Sequence, residues 1–466
     1  MWLTSTSITN PSKGLFVQLP ESIQHLIEQS TPSCPLYLVG GAVRDSLLSR
    51  DCKDFDFVTR ANTRQLAKEF ANFHGASFYA LDGERETYRV IIRSQTGNKT
   101  KVDFAAQRGE DIYEDLLQRD FTLNAMALAL HSLEVIIDPF KGGRDLQQRW
   151  LRPVSPVSFS ADPLRIFRAI RYSVDLGLKI EQKTVGLISA AVPGLREISA
   201  ERKRDELFKI LSGRNIFVAL QLLQKFNLFM QIQLTIKPDI STMITRVRKL
   251  EDVLDWLCHG RKLNKQAAFY QSALYSVMGK YQGELKEHFY SQNNSERLRK
   301  GLLFLSAILQ DHEGLAEQLS ALRLSVNEIQ IIMNIMKNTG VASDLLKQDH
   351  QIAPLDIYHF FNNAGSAGLD LVVLSLVEED DPITQDHWLW LLKRCETLVD
   401  AWFNHPEIVS PIPLLNGNEL IKSFSLKEGP QIGQLLELMK TKQVEGTLKT
   451  KDEALQWAAL FLNASN

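Results

Sequence analysis

The sequence predicts an α+β protein: a mixed sheet with helices over residues 1–150, then an all-helical remainder. Three observations carry this. Short apolar runs separated by turn signals fill the first part, at Leu36–Val39, Ser77–Leu81, Tyr88–Ile92 and Lys101–Ala105. From Ala161 onward, apolar residues recur three and four apart, which is the helical period. The chain has 466 residues, 44% of them apolar, enough for two or more packing units.

Residues 1–17 read as a polar lead-in and residues 21–29 as a short helix. The stretch LYLVGGAVRDSLLSRDCKDFDFV, from Leu36 to Val58, reads as strand, glycine turn, helix and strand. Strand residues two apart point the same way, so Asp54 and Asp56 share one face and Phe55 and Phe57 the other. Thr63 to His74 has helical spacing through Leu66, Phe70 and Phe73. The strands at 77–81, 88–92 and 101–105 follow, the last two separated by the turn TGNK. Asp103 sits in the last of them; its position alone leaves it equally an edge or loop acid. In LLQRDFTLNAMALAL, Arg119 and Asp120 precede an expected apolar helix that Asp120 would cap. LEVIIDPF reads as a strand with a structural Asp138, and Gly142-Gly143 as a turn.

The next segment, 151–214, centres on ADPLRIFRAIRYSVDLGL, a stretch beginning at Ala161 in which Asp162 suits a helix cap and Pro163 the first turn. Ile166, Phe167, Ile170 and Val174 gather on one side. Asp162, Arg165, Arg168 and Arg171 spread over the other, and three arginines at this spacing call for a nearby anion or a solvated face. ERKRDELFKIL, at 201–211, packs through Leu207, Ile210 and Leu211. Residues 215–466 read as helical, with breaks near 286–295, 339–353, 363–367 and 404–418. Between 225 and 265 lie Lys225, Lys237, Arg246, Arg248, Lys249, Arg261, Lys262 and Lys265, either a basic surface for RNA phosphates or ordinary solubilising charge.

Acids number 55 against 53 Lys and Arg, which excludes a bulk polycation. The four cysteines lack metal-ligand spacing and fit a reducing, cytoplasmic setting. No signal peptide, membrane-spanning stretch or histidine metal cluster is expected. The chemistry therefore rests on the stretch from Leu36 to Val58. Two adjacent carboxylates repel, and a hard divalent cation relieves that cost. Gly40 and Gly41 let backbone N–H groups approach a phosphate at a helix start, and Arg44 offers a fork to phosphate oxygens. A metal pair beside a phosphate cradle points to phosphoryl or nucleotidyl transfer.

GGAVRD followed by DFD resembles the head-domain signature of the class II tRNA nucleotidyltransferases and bacterial poly(A) polymerases. The resemblance covers residues 36–211 and is strongest in the arginine-bearing helix. It implies a catalytic head at 1–150, a nucleobase-recognising neck at 151–214 and a tRNA-binding body and tail at 215–466. It makes Asp54 and Asp56 the Mg²⁺ ligands and Asp103 a third catalytic carboxylate. Gly40, Gly41 and Arg44 would hold the triphosphate, with Arg119, Asp120 and Asn124 near the nucleotide. Asp162 and Arg165 would read Watson–Crick edges in place of a nucleic-acid template, with Arg168 and Arg171 as further nucleotide contacts. Glu201 and Arg202 would support that template.

Two positions depart from the family pattern: Gln118 stands where an arginine is usual, and Ala161 where a glutamate is usual. Only 16 residues separate Asp103 from Asp120, where CCA-adding and A-adding relatives typically have a longer flexible loop. That shortening favours CC addition to the tRNA 3′ end from CTP, with a separate A-adding enzyme acting in sequence. Complete CCA addition from CTP and ATP is the alternative, then poly(A) polymerase. A different nucleotidyltransferase that labels a small molecule or protein, or a silent RNA-binding protein, would be readings of other kinds. The acceptor arm of tRNA is the expected partner, with no membrane association.

Overall fold

The computed structural model describes residues 20–83, 86–93, 99–133, 135–260, 268–290, 297–377 and 384–464. The expected lead-in at 1–17 and most of the TGNK turn lie outside the described residues. The chain forms two compact units, Met1–Glu206 and Leu207–Asn466.

The first unit opens with helix α1 (Glu21–Gln29), strand β1 (Leu36–Val39), helix α2 (Gly41–Leu47), strand β2 (Asp54–Thr59) and helix α3 (Thr63–Phe73). Strands β3 (Ser77–Asp82), β4 (Thr87–Arg93) and β5 (Lys99–Ala106) follow. Helix α4 (Ile112–Leu117), strands β6 (Ala127–Ala129) and β7 (Ile136–Ile137), and helix α5 (Gly142–Gln148) come next. The seven strands build one sheet in the order β3-β4-β5-β2-β1-β6-β7. β2 and β5 run parallel and the other neighbours antiparallel, so the sheet is mixed as expected.

Alternation along the central strands separates two faces. Phe55, Phe57, Val102 and Phe104 are buried. The Phe57 and Phe104 rings stack at 5.7 Å, and Phe70 of α3 meets Phe104 edge-on at 5.4 Å. On the opposite side a smaller cluster joins Val39, Val58, Ile112, Leu116, Ala125 and Ala127. Asp54 and Asp56 continue that second face past the point where its apolar cover stops.

The helix expected after Asp120 is absent from this position. Residues Thr122–Asn124 make a single 3₁₀ turn, and the apolar run enters strand β6. β6 pairs with both β1 and β7 and is buried throughout, so it shows no alternation and its sequence reads equally as helix. Gly142 and Gly143 likewise open α5 rather than a free turn, and their N–H groups donate to the Asp138 carboxylate at 2.7 and 2.9 Å. A Cβ at Gly142 would stand 2.1 Å from the Thr122 carbonyl oxygen, so only glycine lets these backbones meet.

Beyond the sheet lie strand β8 (Trp150–Leu151), helices α6 (Ser158–Ala161) and α7 (Arg165–Leu176), strand β9 (Lys179–Ile180), and helices α8 (Gln182–Ala191) and α9 (Ala200–Leu211). β8 and β9 pair in parallel, a two-residue exception to the all-helical expectation, too short for periodicity to reveal. Ala161 ends α6 and the long helix starts at Arg165, two residues later than expected; Asp162 is extended and accepts the Leu164 N–H at 3.2 Å. Gly177, with φ of 63°, ends α7 in the left-handed region.

The second unit is helical. Its longest helices are Ile240–His259, Val326–Lys347 and Gln385–Asn404. Asp239 caps the first through Ser241 and Thr242, and Ser325 with Glu328 forms a capping box on the second. The break expected from residue 339 does not occur before Lys347: Gly340 lies inside that helix, whose buried face runs on through Asn338, Ala342 and Leu345. Three further helices, Gly417–Phe424, Pro430–Val444 and Lys451–Ala464, close over their own core of Leu420, Leu435, Met439 and Ala454. Among the described residues no helix is long and apolar enough to cross a membrane. No disulfide joins any two of the four cysteines.

Candidate active site

The site begins at the end of β1. Gly40 has φ of 72° and ψ of −127°, a conformation suited to glycine, and leads directly into α2. A Cβ there would stand 3.0 Å from Arg119 Nη1 and 3.8 Å from Asp56 Oδ2. The glycine turn, the β2 acid and the segment before Asp120 therefore converge on one spot. Asp54 and Asp56 lie on the same exposed face of β2, with Phe55 and Phe57 buried behind them. In register across the parallel β2–β5 pair, Asp56 stands beside Asp103.

Asp56 is open to solvent on one side and crowded by protein on the others. That crowding, then the charge of Asp103, and more weakly that of Asp54, push its carboxyl up to about 6 against the pull of Arg119. A carboxyl pushed toward neutrality by adjacent acids is a donor set that a hard divalent cation fits. Asp103 itself is committed elsewhere: Arg89 Nε and Nη2 donate to its two oxygens at 2.7 Å each. Among the described residues no group of three or more His, Cys, Asp or Glu is gathered to hold a metal ion. The fit to a cation thus rests on Asp54 and Asp56, with Asp103 alongside and held by Arg89.

Arg44 is buried and turned inward. It donates through Nε and Nη2 to Asp45 at 2.9 Å and through Nη1 to Asn124 Oδ1 at 2.7 Å. Asn124 in turn donates to Asp120 Oδ1 at 3.0 Å, and Arg168 Nε donates to Asp120 Oδ2 at 2.8 Å. Burial works to raise the Asp120 carboxyl, yet Arg168 and Asn124 outweigh it and hold it below the usual carboxylate range. Arg171 Nε donates to the buried Glu206 at 3.1 Å. The anions called for by the α7 arginines are thus supplied within the protein for Arg168 and Arg171, by Asp120 and Glu206.

Arg165 donates to three backbone carbonyls, Gln118 at 2.6 Å, Arg119 at 3.1 Å and Ser158 at 3.4 Å. Asp162 accepts from Arg202 Nη2 at 2.9 Å. Asp162, Arg165, Ala161, Gln118 and Arg202 line a cavity of about 1250 Å³ together with Asp82, Glu86 and Thr87. Asp54, Asp56 and Gly40 are not among its lining residues. The predicted residues therefore fall into two groups, an acid–glycine group and a cavity group. Gln118 and Arg119 join them, since Arg165 holds their carbonyls while the Arg119 side chain meets the site around Gly40.

Several residues of this network escaped sequence reasoning. The Asp115–Arg119 pair, 2.9 Å, sits at i,i+4 and was findable by spacing. Arg89 is placed by strand register alone, and Glu206 by tertiary packing. In the basic stretch, Arg248 lies over the Phe217 ring at 5.2 Å and Lys225 over Phe226 at 5.8 Å. Arg261, Lys262 and Lys265 lie outside the described residues.

The mixed sheet with paired acids beside a glycine turn defines a nucleotidyltransferase head, and comparison with known proteins agrees. Residues 36–152 match the Poly A polymerase head domain, and residues 177–241 the "Probable RNA and SrmB- binding site of polymerase A". Residues 294–459 match the tRNA nucleotidyltransferase domain 2. A CC-adding tRNA nucleotidyltransferase of Geobacter sulfurreducens is 29% identical over 91% of this chain and 91% of its own length. A CCA-adding enzyme of Streptococcus pyogenes is 28% identical over 88% of this chain and 89% of its own. A solved tRNA nucleotidyltransferase, complexed with a primer tRNA and an incoming ATP analog, is 25% identical with a TM-score of 0.59, covering 81% of this chain and 97% of that one. The chain belongs to the class II tRNA nucleotidyltransferase and poly(A) polymerase family. It is an enzyme of the nucleotidyltransferase superfamily that acts on RNA.

Proposed function

We propose that this chain adds nucleotides of the CCA end to the tRNA 3′ terminus, without a nucleic-acid template. The carrying observation is the placement of Asp54 and Asp56 on one open strand face beside the Gly40 turn. In this reading the RNA 3′-oxygen attacks the α-phosphorus of a bound nucleoside triphosphate, the bond to the β-phosphate breaks, and pyrophosphate leaves. Mg²⁺ held by Asp54 and Asp56 would supply charge stabilisation at the α-phosphate and ease ionisation of the 3′-hydroxyl. The Gly40 and Gly41 backbone cradles the triphosphate, and Arg44 orders that end of the pocket through Asn124. Asp103 stands next to Asp56 as the third acid. Arg119, Asp120 and Asn124 position the nucleotide, and Arg168 and Arg171 set the helix behind it. Asp162 accepts and Arg165 donates at the base edge.

The assignment of work follows the three stretches 1–150, 151–214 and 215–466: chemistry, base recognition and RNA holding, in a cytoplasmic protein. CTP is a substrate in both versions of this reading. Complete CCA addition, with ATP as well, draws on the S. pyogenes relative and on the solved relative's ATP analog. CC addition alone draws on the G. sulfurreducens relative and on the short link from β5 to α4, residues 107–111. A separate A-adding enzyme would then complete the end.

The test offers labelled CTP and ATP separately to the purified protein, with tRNAs ending before the first C, after CC and after CCA. Ordered use of both nucleotides supports complete addition. CTP use without ATP use on the CC-ending tRNA supports CC addition. Long A tails on unrelated RNA, or no transfer at all, overturn the proposal.

A further inference from the structure

Tyr172 lies one position beyond the last α7 arginine and was given no role by the sequence. Its ring is approached by three guanidinium groups: Arg171 at 4.4 Å, Arg44 at 5.2 Å and Arg168 at 5.4 Å from the ring centroid. Phe121 meets the same ring edge-on at 5.8 Å. Each guanidinium is paired with a carboxylate, Asp45 for Arg44, Asp120 for Arg168 and Glu206 for Arg171, and Glu206 also lies 3.7 Å from Arg168. Three cations around one ring are thus balanced by three acids, and the aromatic ring is their shared surface.

The partners come from different elements. Arg44 sits on α2, directly after the glycine turn; Phe121 follows Asp120; Arg168 and Arg171 sit on α7. A one-point ion pair sets the distance between two charges but leaves their planes free to swing, and a ring approached by arginines of both α2 and α7 adds a shared restraint on orientation. We infer that Tyr172 is a positioning residue that holds the glycine turn in register with α7, and so sets the spacing between the triphosphate end and the base end of the nucleotide. This rests on the proposed nucleotide-transfer reading. The ring is the working part. The hydroxyl takes a contact from Arg168 Nη2 at 3.3 Å, and Arg44 and Arg171 also reach it, so the ring and the hydroxyl are separated by comparison with Tyr172→Phe.

The test compares the full-length chain with Tyr172→Phe and Tyr172→Leu. Direct CTP binding, steady-state CTP incorporation into tRNA, selectivity for CTP over UTP, and thermal unfolding are measured. Tyr172→Phe keeps the ring and should match wild type within about twofold. Tyr172→Leu should weaken CTP binding and raise KM about tenfold or more, the scale of losing desolvated cation–π contacts, and should lower CTP selectivity. Unchanged affinity and selectivity in Tyr172→Leu, with only a lower unfolding temperature or a smaller active fraction, overturns the inference. So does a Tyr172→Phe variant as impaired as Tyr172→Leu. Wild type that binds CTP but transfers nothing overturns the proposed function, while the three affinities still decide the role of Tyr172. Wild type that binds no CTP overturns both.

Discussion

Arg89 grips Asp103 with both arms of its fork, Nε to Oδ1 and Nη2 to Oδ2, each at 2.7 Å. The two residues face each other across β4 and β5, and Asp103 pairs in register with Asp56 on the next strand. A cation therefore already stands at the edge of the acid pocket, competing with any metal for Asp103. Removing it should make the pocket more attractive to divalent ions and less stable without them. Arg89→Leu is expected to lower the Mg²⁺ concentration for half-maximal binding several-fold. In chelator it should unfold more easily than wild type by about 1 kcal/mol or more, because Asp103 is left beside Asp56 without its partner. Mg²⁺-dependent thermal shift and denaturation in EDTA check both; a raised Mg²⁺ requirement would refute the competition.

Legibility in the sequence followed the range of each interaction. The shared face of Asp54 and Asp56 needed only the two-residue period of a strand, and β2 has it. The seat of Asp103 beside Asp56 needed the parallel pairing of β2 with β5, and β3 and β4 intervene in the chain. Neither spacing nor composition encodes that register. The helix expected from Phe121 onward failed because a strand buried on both faces carries no alternation. The α7 arginines were legible as a charged face in want of anions, but Asp120 and Glu206 were visible as their partners only in three dimensions. The tail's small core follows from the helical reading of 215–466, but which helix faces meet in it was visible only in three dimensions.

Gly40 offers a second test. Its backbone occupies a region that side chains avoid, and the space a Cβ would enter is held by Arg119 Nη1 at 3.0 Å. Gly40→Ala should cost about 1–3 kcal/mol of stability from backbone strain. Because the same displacement moves Arg119 off Asp56, nucleotide transfer should fall more than unfolding accounts for. Activity normalised to the folded fraction, measured well below the melting temperature, separates the two.

Asp120 is buried and bound to Arg168, Asn124 and the Phe121 N–H. Asp120→Asn keeps an acceptor but leaves the Arg168 charge only the more distant Glu206, 3.7 Å away, which should cost about 3 kcal/mol at pH 7. The folded carboxyl sits below its ordinary value. Its contribution is therefore present above the unfolded value and lost as pH falls through the folded one. The gap between wild type and Asp120→Asn should narrow on acidification below pH 4, as followed by urea denaturation; a gap independent of pH would mean that the charge contributes nothing.

Glu251 gives the opposite sign. It is buried in the second unit, accepts the Ile216 N–H at 2.8 Å, and is pushed up to about 7 from 4.5, chiefly by burial and against the charge of Lys300. Between those values the folded chain binds more protons than the unfolded one, so stability falls as pH rises from about 5 to 7. The full shift corresponds to about 3 kcal/mol at most. Glu251→Gln retains the acceptor for Ile216 and removes the titration. Its unfolding free energy should change less than that of wild type over this range, with the difference between the two developing between pH 5 and 7. Parallel pH profiles would place the Glu251 carboxylate in contact with water and charge, not in the buried setting that raises it.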